Sequence, residues 1–174
     1  MLPRLTPLRV AAVTLITLIT LSGFTAMPMG AAQADRVDPS VQEQVDSQLH
    51  DYPGGVQSAP GEITYAGGSV KVVIPRAGAA ATCPSGWYCF FQDRNWIGRM
   101  LQFRDCGGNQ SLTDYGFGNQ ATSWVNNTRH LVEVYDRDVD PFDTLWREAA
   151  NARASYVEAG KDNRADFFHT YCGS

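Results

Sequence analysis

Apolar and polar positions fall into distinct textures along this chain. Val10 to Phe24 is apolar, broken only by Thr, Ser and one Gly, and is preceded by Arg4 and Arg9. Val41, Val45 and Leu49 share one stripe, so the spacing predicts a short helix after Pro39-Ser40, stopped by Tyr52-Pro53-Gly54-Gly55. Ile63-Thr64-Tyr65 and Val70-Lys71-Val72-Val73-Ile74 are β-rich runs around Gly67-Gly68, the pattern of a hairpin. The small residues from Ala77 to Ala81 read as a linker. From Cys83 onward, short apolar runs alternate with Gly, Asn and Asp turns, as in an all-β sandwich.

The stretch from Cys83 to Phe103 is the most informative. Trp87, Tyr88, Phe90 and Phe91 form an aromatic strand, Asp93-Arg94-Asn95 is a polar turn, and Met100, Leu101 and Phe103 form a second strand. Phe91, Trp96 and Gly98 give the spacing aromatic, four residues, aromatic, one residue, glycine. That spacing lets a hairpin fold back over its own aromatic ring, with Gly98 taking a backbone shape that a Cβ would oppose. Strands at 87–91 and 98–104, a turn through Cys106-Gly107-Gly108-Asn109 and a strand near Thr122–Asn127 would complete one Greek key. A second would begin at Leu131-Val132-Glu133-Val134-Tyr135. Residues 143–159 are ambiguous: Trp146, Ala149, Ala150 and Val157 share a helical face, whereas Thr144-Leu145-Trp146 and Ser155-Tyr156-Val157 have β character.

The triplet Phe91, Trp96, Gly98 is the signature of a βγ-crystallin Greek key. With the surrounding CPSGWYC, the chain resembles secreted bacterial proteins of a metalloproteinase-inhibitor family built on that fold. The resemblance spans about residues 83–172, through Thr144-Leu145-Trp146, Ala150-Asn151, Ser155-Tyr156-Val157, Asp162-Asn163-Arg164-Ala165 and the terminal Cys172, and it favours strands over a helix in 143–159. It implies an all-β, βγ-crystallin-like sandwich of two Greek keys, with the short helix and hairpin as an N-terminal extension. In the second key, Asp140 stands at the second aromatic position and Phe142 at the glycine position, so that hairpin must fold differently.

The N-terminal texture is that of an export signal. The positive start, the apolar run and Ala32-Gln33-Ala34 predict cleavage after Ala34, leaving residues 35–81 as an extension, docked or semi-independent, and 82–174 as the principal domain. Four cysteines, Cys83, Cys89, Cys106 and Cys172, lie beyond the signal, an even count that favours disulfides in an exported chain. Of three possible pairings, Cys83–Cys89 closes the natural local loop and leaves Cys106–Cys172. After cleavage the charge is 12 − 18 = −6, a balance that argues against nucleic acid and anionic membranes as partners.

No catalytic pattern emerges. His50, His130 and His169 are scattered, and neither HExxH nor GxSxG occurs, so turnover is not expected and no cofactor is required. Calcium is a candidate ligand. Binding domains of the βγ-crystallin kind carry two Asn/Asp, two variable residues, then Ser/Thr and Ser, once per key. Here Gly118-Asn119-Gln120-Ala121-Thr122-Ser123 lacks the first side chain, and Asp162-Asn163-Arg164-Ala165-Asp166-Phe167 ends in Asp and Phe. Asn119, Thr122, Ser123, Asp162, Asn163 and Asp166 are therefore candidate ligands, or simply turn residues. The acidic series Asp136, Asp138, Asp140 reads as a solvated loop, because Pro141 and Arg147 replace essential EF-hand residues.

The resemblance also implies inhibition of an extracellular metalloproteinase. In the family's characterised inhibitor, the inhibitory loop lies in the second half and has its own local disulfide. No cysteine pair between Cys106 and Cys172 supplies one here, so that loop is not assigned. The loop 83–89 reads as a structural staple or a binding surface, with Trp87 and Tyr88 available to a partner. The alternative is a calcium-binding or purely structural extracellular module.

Overall fold

A computed structural model describes residues 38–139 and 141–172. The expected signal segment, its cleavage point and Asp140 lie outside them. One helix, α1 (Pro39–Asp51), precedes eleven strands: β1 (Val56–Ala59), β2 (Glu62–Tyr65), β3 (Val70–Val73), β4 (Tyr88–Phe91), β5 (Met100–Phe103), β6 (Gly108–Ser111), β7 (Ser123–Asn126), β8 (Leu131–Asp136), β9 (Asp143–Glu148), β10 (Arg153–Ala154) and β11 (Phe167–Tyr171). They form a seven-stranded sheet, order β1-β2-β3-β5-β4-β7-β10, and a four-stranded sheet, order β6-β11-β8-β9.

This is an all-β sandwich of two Greek keys. In the first key, β4 pairs with β5 and β7, and β6 crosses to the opposite sheet. In the second, β8 pairs with β9 and β11, and β10 crosses back to β7. Each key thus lends its third strand to the other. The turn expected through Cys106–Asn109 is partly strand, because β6 begins at Gly108. Region 143–159 is extended rather than helical, but the short strand falls at Arg153–Ala154, ahead of Ser155-Tyr156-Val157. Its position is set by pairing to Val125 and Trp124, not by its own β propensity.

The core lies between the sheets. Phe168 of β11 meets three aromatic rings of the first sheet, with centroids 4.8 Å from Phe103, 5.1 Å from Phe90 and 6.0 Å from Tyr88. Strand β4 is buried on both faces: Tyr88 and Phe90 enter this core, while Cys89 and Phe91 join a second cluster with Cys83, Trp87 and Met100. Ala81 packs on that second cluster, and Ala80 bridges to Ile97, so the expected linker covers the outer face of the sheet.

The extension is docked. β3 pairs antiparallel with β5 in register Val72↔Leu101, so β1–β3 continue the first key's sheet. Val41 and Val45 of α1 enter the main core. The Arg99 guanidinium is half-buried, and its Nη1 donates to Gln48 Oε1 of the helix at 2.8 Å. Tyr65 Oη donates to the Tyr52 carbonyl at 3.1 Å, which ties the helix end to the hairpin.

Candidate functional site

The Phe91–Gly98 hairpin folds as its spacing demands. Asn95 and Trp96 both adopt left-handed backbone, at φ 58° and 61°, and Gly98 follows at φ 78°. A bulky residue in that region is strained and needs support. Ser123 gives it: its Oγ donates to the Asp93 carbonyl at 2.6 Å and accepts from Trp96 N at 3.2 Å. The indole Nε1 donates to the Trp124 carbonyl at 3.2 Å. Ser123 is thus occupied in pinning the hairpin, a role that its place in the motif did not disclose.

The two motif copies face each other across a reciprocal exchange. Asn119 N donates to the Ala165 carbonyl at 2.8 Å, and Asn163 N to the Ala121 carbonyl at 3.2 Å. Each bond runs from the second position of one copy to the fourth of the other. Asn119 and Asn163 both sit at φ 56°, the left-handed region that Asn tolerates. The carboxylates and would-be ligands around this exchange form two groups, one drawn from both keys and one from the second key alone.

In the first group, Thr122 Oγ1 donates to Asp162 Oδ1 at 2.7 Å and lies 3.5 Å from Asn163 Oδ1. Two would-be ligands are spent on one another there. The second group is acidic. Carboxylate oxygens of Asp136, Asp138 and Asp166 lie within 4.8 Å of one another. Asp166 Oδ2 accepts from Arg137 N at 2.9 Å, and Asp136 Oδ1 from Asp138 N at 2.7 Å. Asp166 thereby steadies the second key's hairpin as Ser123 steadies the first. Of the series read as a solvated loop, Arg137, Asp138 and Val139 are exposed, whereas Asp136 is buried and its carboxylate lies with those of Asp138 and Asp166.

Two features shape the acidic group. Arg164, at the third position of the second copy, donates from Nε and Nη2 to Asp136 Oδ2 at 2.9 and 2.8 Å. Its guanidinium places a positive charge where a cation would otherwise balance the carboxylates. Gly118 has no room for the side chain its motif position normally carries. A Cβ there would stand 2.6 Å from Thr113 Oγ1 and 3.3 Å from Asp166 Oδ1. Asn119 Nδ2 reaches Asp138 Oδ2 only at 3.4 Å.

Two disulfides staple the domain, Cys83–Cys89 with Cα atoms 5.8 Å apart and Cys106–Cys172 with Cα atoms 5.6 Å apart. The first leaves Pro84, Ser85 and Gly86 exposed at the loop tip. The rings of Trp87 and Tyr88 are buried rather than displayed on the loop, as suits a structural staple: alternating along β4 and its entry, one packs against the disulfide and the other fills the core. The exposed apolar residues Val139 and Phe142 flank the β8–β9 connection, and Phe142 rests edge-on against Phe167 at 5.3 Å.

Two carboxyl groups are strongly perturbed. Glu148 is fully buried, accepts only from Trp146 Nε1 at 3.0 Å, and is pushed up to about 8 by loss of solvent. Glu133 is held down to about 2 by the Tyr171 and Tyr135 hydroxyls and then by Arg147. Although Glu133 lies on the outer face of its sheet, those three side chains close over it and leave little of it in contact with water.

Residues 76–138 match the family model described as peptidase inhibitor family I36. The I36 match runs from the end of the docked hairpin through β8, and so takes in the first key, its disulfide loop and the first motif copy. A match to a peptidase inhibitor family points to a non-enzyme. No curated protein matches the chain. Among solved structures, one from work on the evolution of the eye-lens βγ-crystallin domain fold is 13% identical, covers 61% of this chain and 100% of that one, and has a TM-score of 0.46. A βγ-crystallin domain from Clostridium beijerinckii is 18% identical, covers 48% of this chain and 95% of that one, and has a TM-score of 0.40.

Proposed function

We propose that this protein is an exported inhibitor that occupies an extracellular metalloproteinase without being turned over. The I36 match over residues 76–138 carries the reading. Two disulfides suit an oxidising compartment, and the Arg4, Arg9 and Ala32–Ala34 pattern supports export. An inhibitor gains affinity by presenting a surface already ordered before contact. Phe142 beside β9 meets that need: it is seated on Phe167, next to the point where Arg164 pairs with Asp136 and reaches Asp143 at 3.5 Å. Titration of the purified protein against a thermolysin-type metalloproteinase and, in parallel, a serine proteinase tests the proposal. Saturable loss of metalloproteinase activity at micromolar concentration is expected, and Phe142→Ala should weaken it. No inhibition at that concentration overturns the reading.

A calcium-stabilised module is the second reading, favoured by the Asp136, Asp138 and Asp166 group alone. A hard cation needs six to eight oxygens, and Arg164 competes for Asp136. Millimolar calcium that raises the melting temperature in the wild type but not in Asp166→Asn supports it. An unmoved melting temperature removes it.

A further inference from the structure

The chain is acidic, with 18 Asp and Glu against 14 Lys and Arg, yet Arg104, Arg129 and His130 gather around one cleft of about 310 Å³. Among the described residues none of the three is in an ion pair. Arg104 lies over the Trp87 ring at 5.6 Å, which orients its guanidinium without neutralising it. The nearby acid is Asp105, whose charge, after burial, helps push the Tyr88 phenol upward. Two guanidinium groups and an imidazole stand against that one carboxylate.

The lining is built from the parts of the fold least able to move. Ser85 and Gly86 belong to the loop closed by Cys83–Cys89, and Cys106 is bonded to Cys172. Tyr88 contributes from the central strand β4, and Asn151 from the turn before β10. Tyr88 is fully buried, and its hydroxyl has no hydrogen-bond partner. Thr128 lies beside it, but the Thr128 hydroxyl donates to Asn126 Oδ1 at 2.7 Å and accepts from His130 N at 3.1 Å, and no hydrogen bond of proper geometry joins it to Tyr88. A buried hydroxyl left unpaired is destabilising, so its retention is explained by a partner that arrives from the cleft.

We propose that this cleft binds an oxyanion of the phosphate or sulfate class. A planar carboxylate is satisfied by one guanidinium fork. Two guanidinium groups, an imidazole, the Tyr88 hydroxyl and the Ser85 and Asn151 side chains supply more donors than two oxygens use, and they match a tetrahedral group with three or four. The assignment is separate from the inhibitor reading, because none of these residues belongs to the β8–β9 connection.

Inorganic phosphate, titrated at constant ionic strength into isotopically labelled full-length protein, tests it by amide chemical shifts. Saturable shifts at Gly86, Thr128, Arg129, His130 and Asn151 are expected below about 50 mM. Arg104→Ala and Arg129→Ala should each weaken binding roughly tenfold, the scale of a lost charge-assisted hydrogen bond. Tyr88→Phe should weaken binding a few-fold and also raise the melting temperature of the free protein, a pair of effects that a merely structural tyrosine would not give. A sugar phosphate run in parallel distinguishes sources: tighter binding than inorganic phosphate assigns the oxyanion to an ester, and equal binding to the free ion. Identical shifts with chloride, no saturation, or undiminished binding in the double arginine variant overturns the proposal.

Discussion

Glu148→Gln should change the pH dependence of stability more than any other single substitution in the core. The carboxyl is wholly buried, one oxygen accepts from Trp146 Nε1 and the other has no partner. Burial raises its pKa from 4.5 to about 8, so the unfolded chain releases this proton several pH units before the folded one does. With the folded value above the unfolded one, the carboxyl's contribution is fully present below pH 4.5. It is lost progressively as pH rises towards 8, and is constant beyond. At 1.36 kcal/mol per pH unit, the loss reaches about 3 kcal/mol at pH 7 and about 5 kcal/mol once the folded carboxyl also ionises. Glutamine keeps the acceptor for Trp146 but leaves both amide hydrogens unpartnered, a pH-independent penalty of about 1–3 kcal/mol. The variant should therefore be less stable than wild type at about pH 5 and more stable at about pH 8.5, with the curves crossing near pH 6. Urea unfolding with the disulfides intact gives the difference directly. Its change between those two pH values should be about 4 kcal/mol whatever the amide penalty is. A difference constant to within about 1 kcal/mol would refute the assignment of a neutral buried carboxyl.

Gly98→Ala should cost about 1–2 kcal/mol, since φ 78° opposes a side chain and a Cβ would stand 2.4 Å from Asp93 Oδ2, an atom able to swing aside. Loss under about 0.3 kcal/mol in urea unfolding would mean the folded hairpin does not depend on glycine. Replacing Cys106 and Cys172 by serine opens a loop of sequence separation 66 and should destabilise by about 4 kcal/mol on the chain-entropy account. A melting temperature lowered by roughly 10–15 °C is the expected reading in calorimetry, and an unchanged one contradicts it.

Features carried by local spacing were legible in the sequence, and those carried by pairing were not. Phe91, Trp96 and Gly98 announce their hairpin because its fold-back is decided within eight residues. The helix at 41–49 and the hairpin at 63–74 are likewise visible as period and turn chemistry. By contrast, β6 is Gly108-Asn109-Gln110-Ser111, without one apolar side chain, and becomes a strand only because β11 lies beside it. Docking of the extension rests on β3 meeting β5, a contact that neither run specifies alone. The same distinction governs the candidate site. Reading each motif copy separately grouped Asp162, Asn163 and Asp166, whereas the reciprocal bonds at Asn119 and Asn163 send Asp166 to Asp136 and Asp138 and leave Asp162 with Thr122. Arg164 and Ser123 show why composition misled: one is a variable position that delivers a counter-charge, the other a nominal ligand engaged in supporting a strained backbone. The three carboxylates that converge all belong to the second key, while Thr122 of the first key is drawn to Asp162. Restoring one copy's consensus, as in Gly118→Asp, would therefore add a charge beside them only with Thr113 Oγ1, 2.6 Å from a Cβ built there, moved aside.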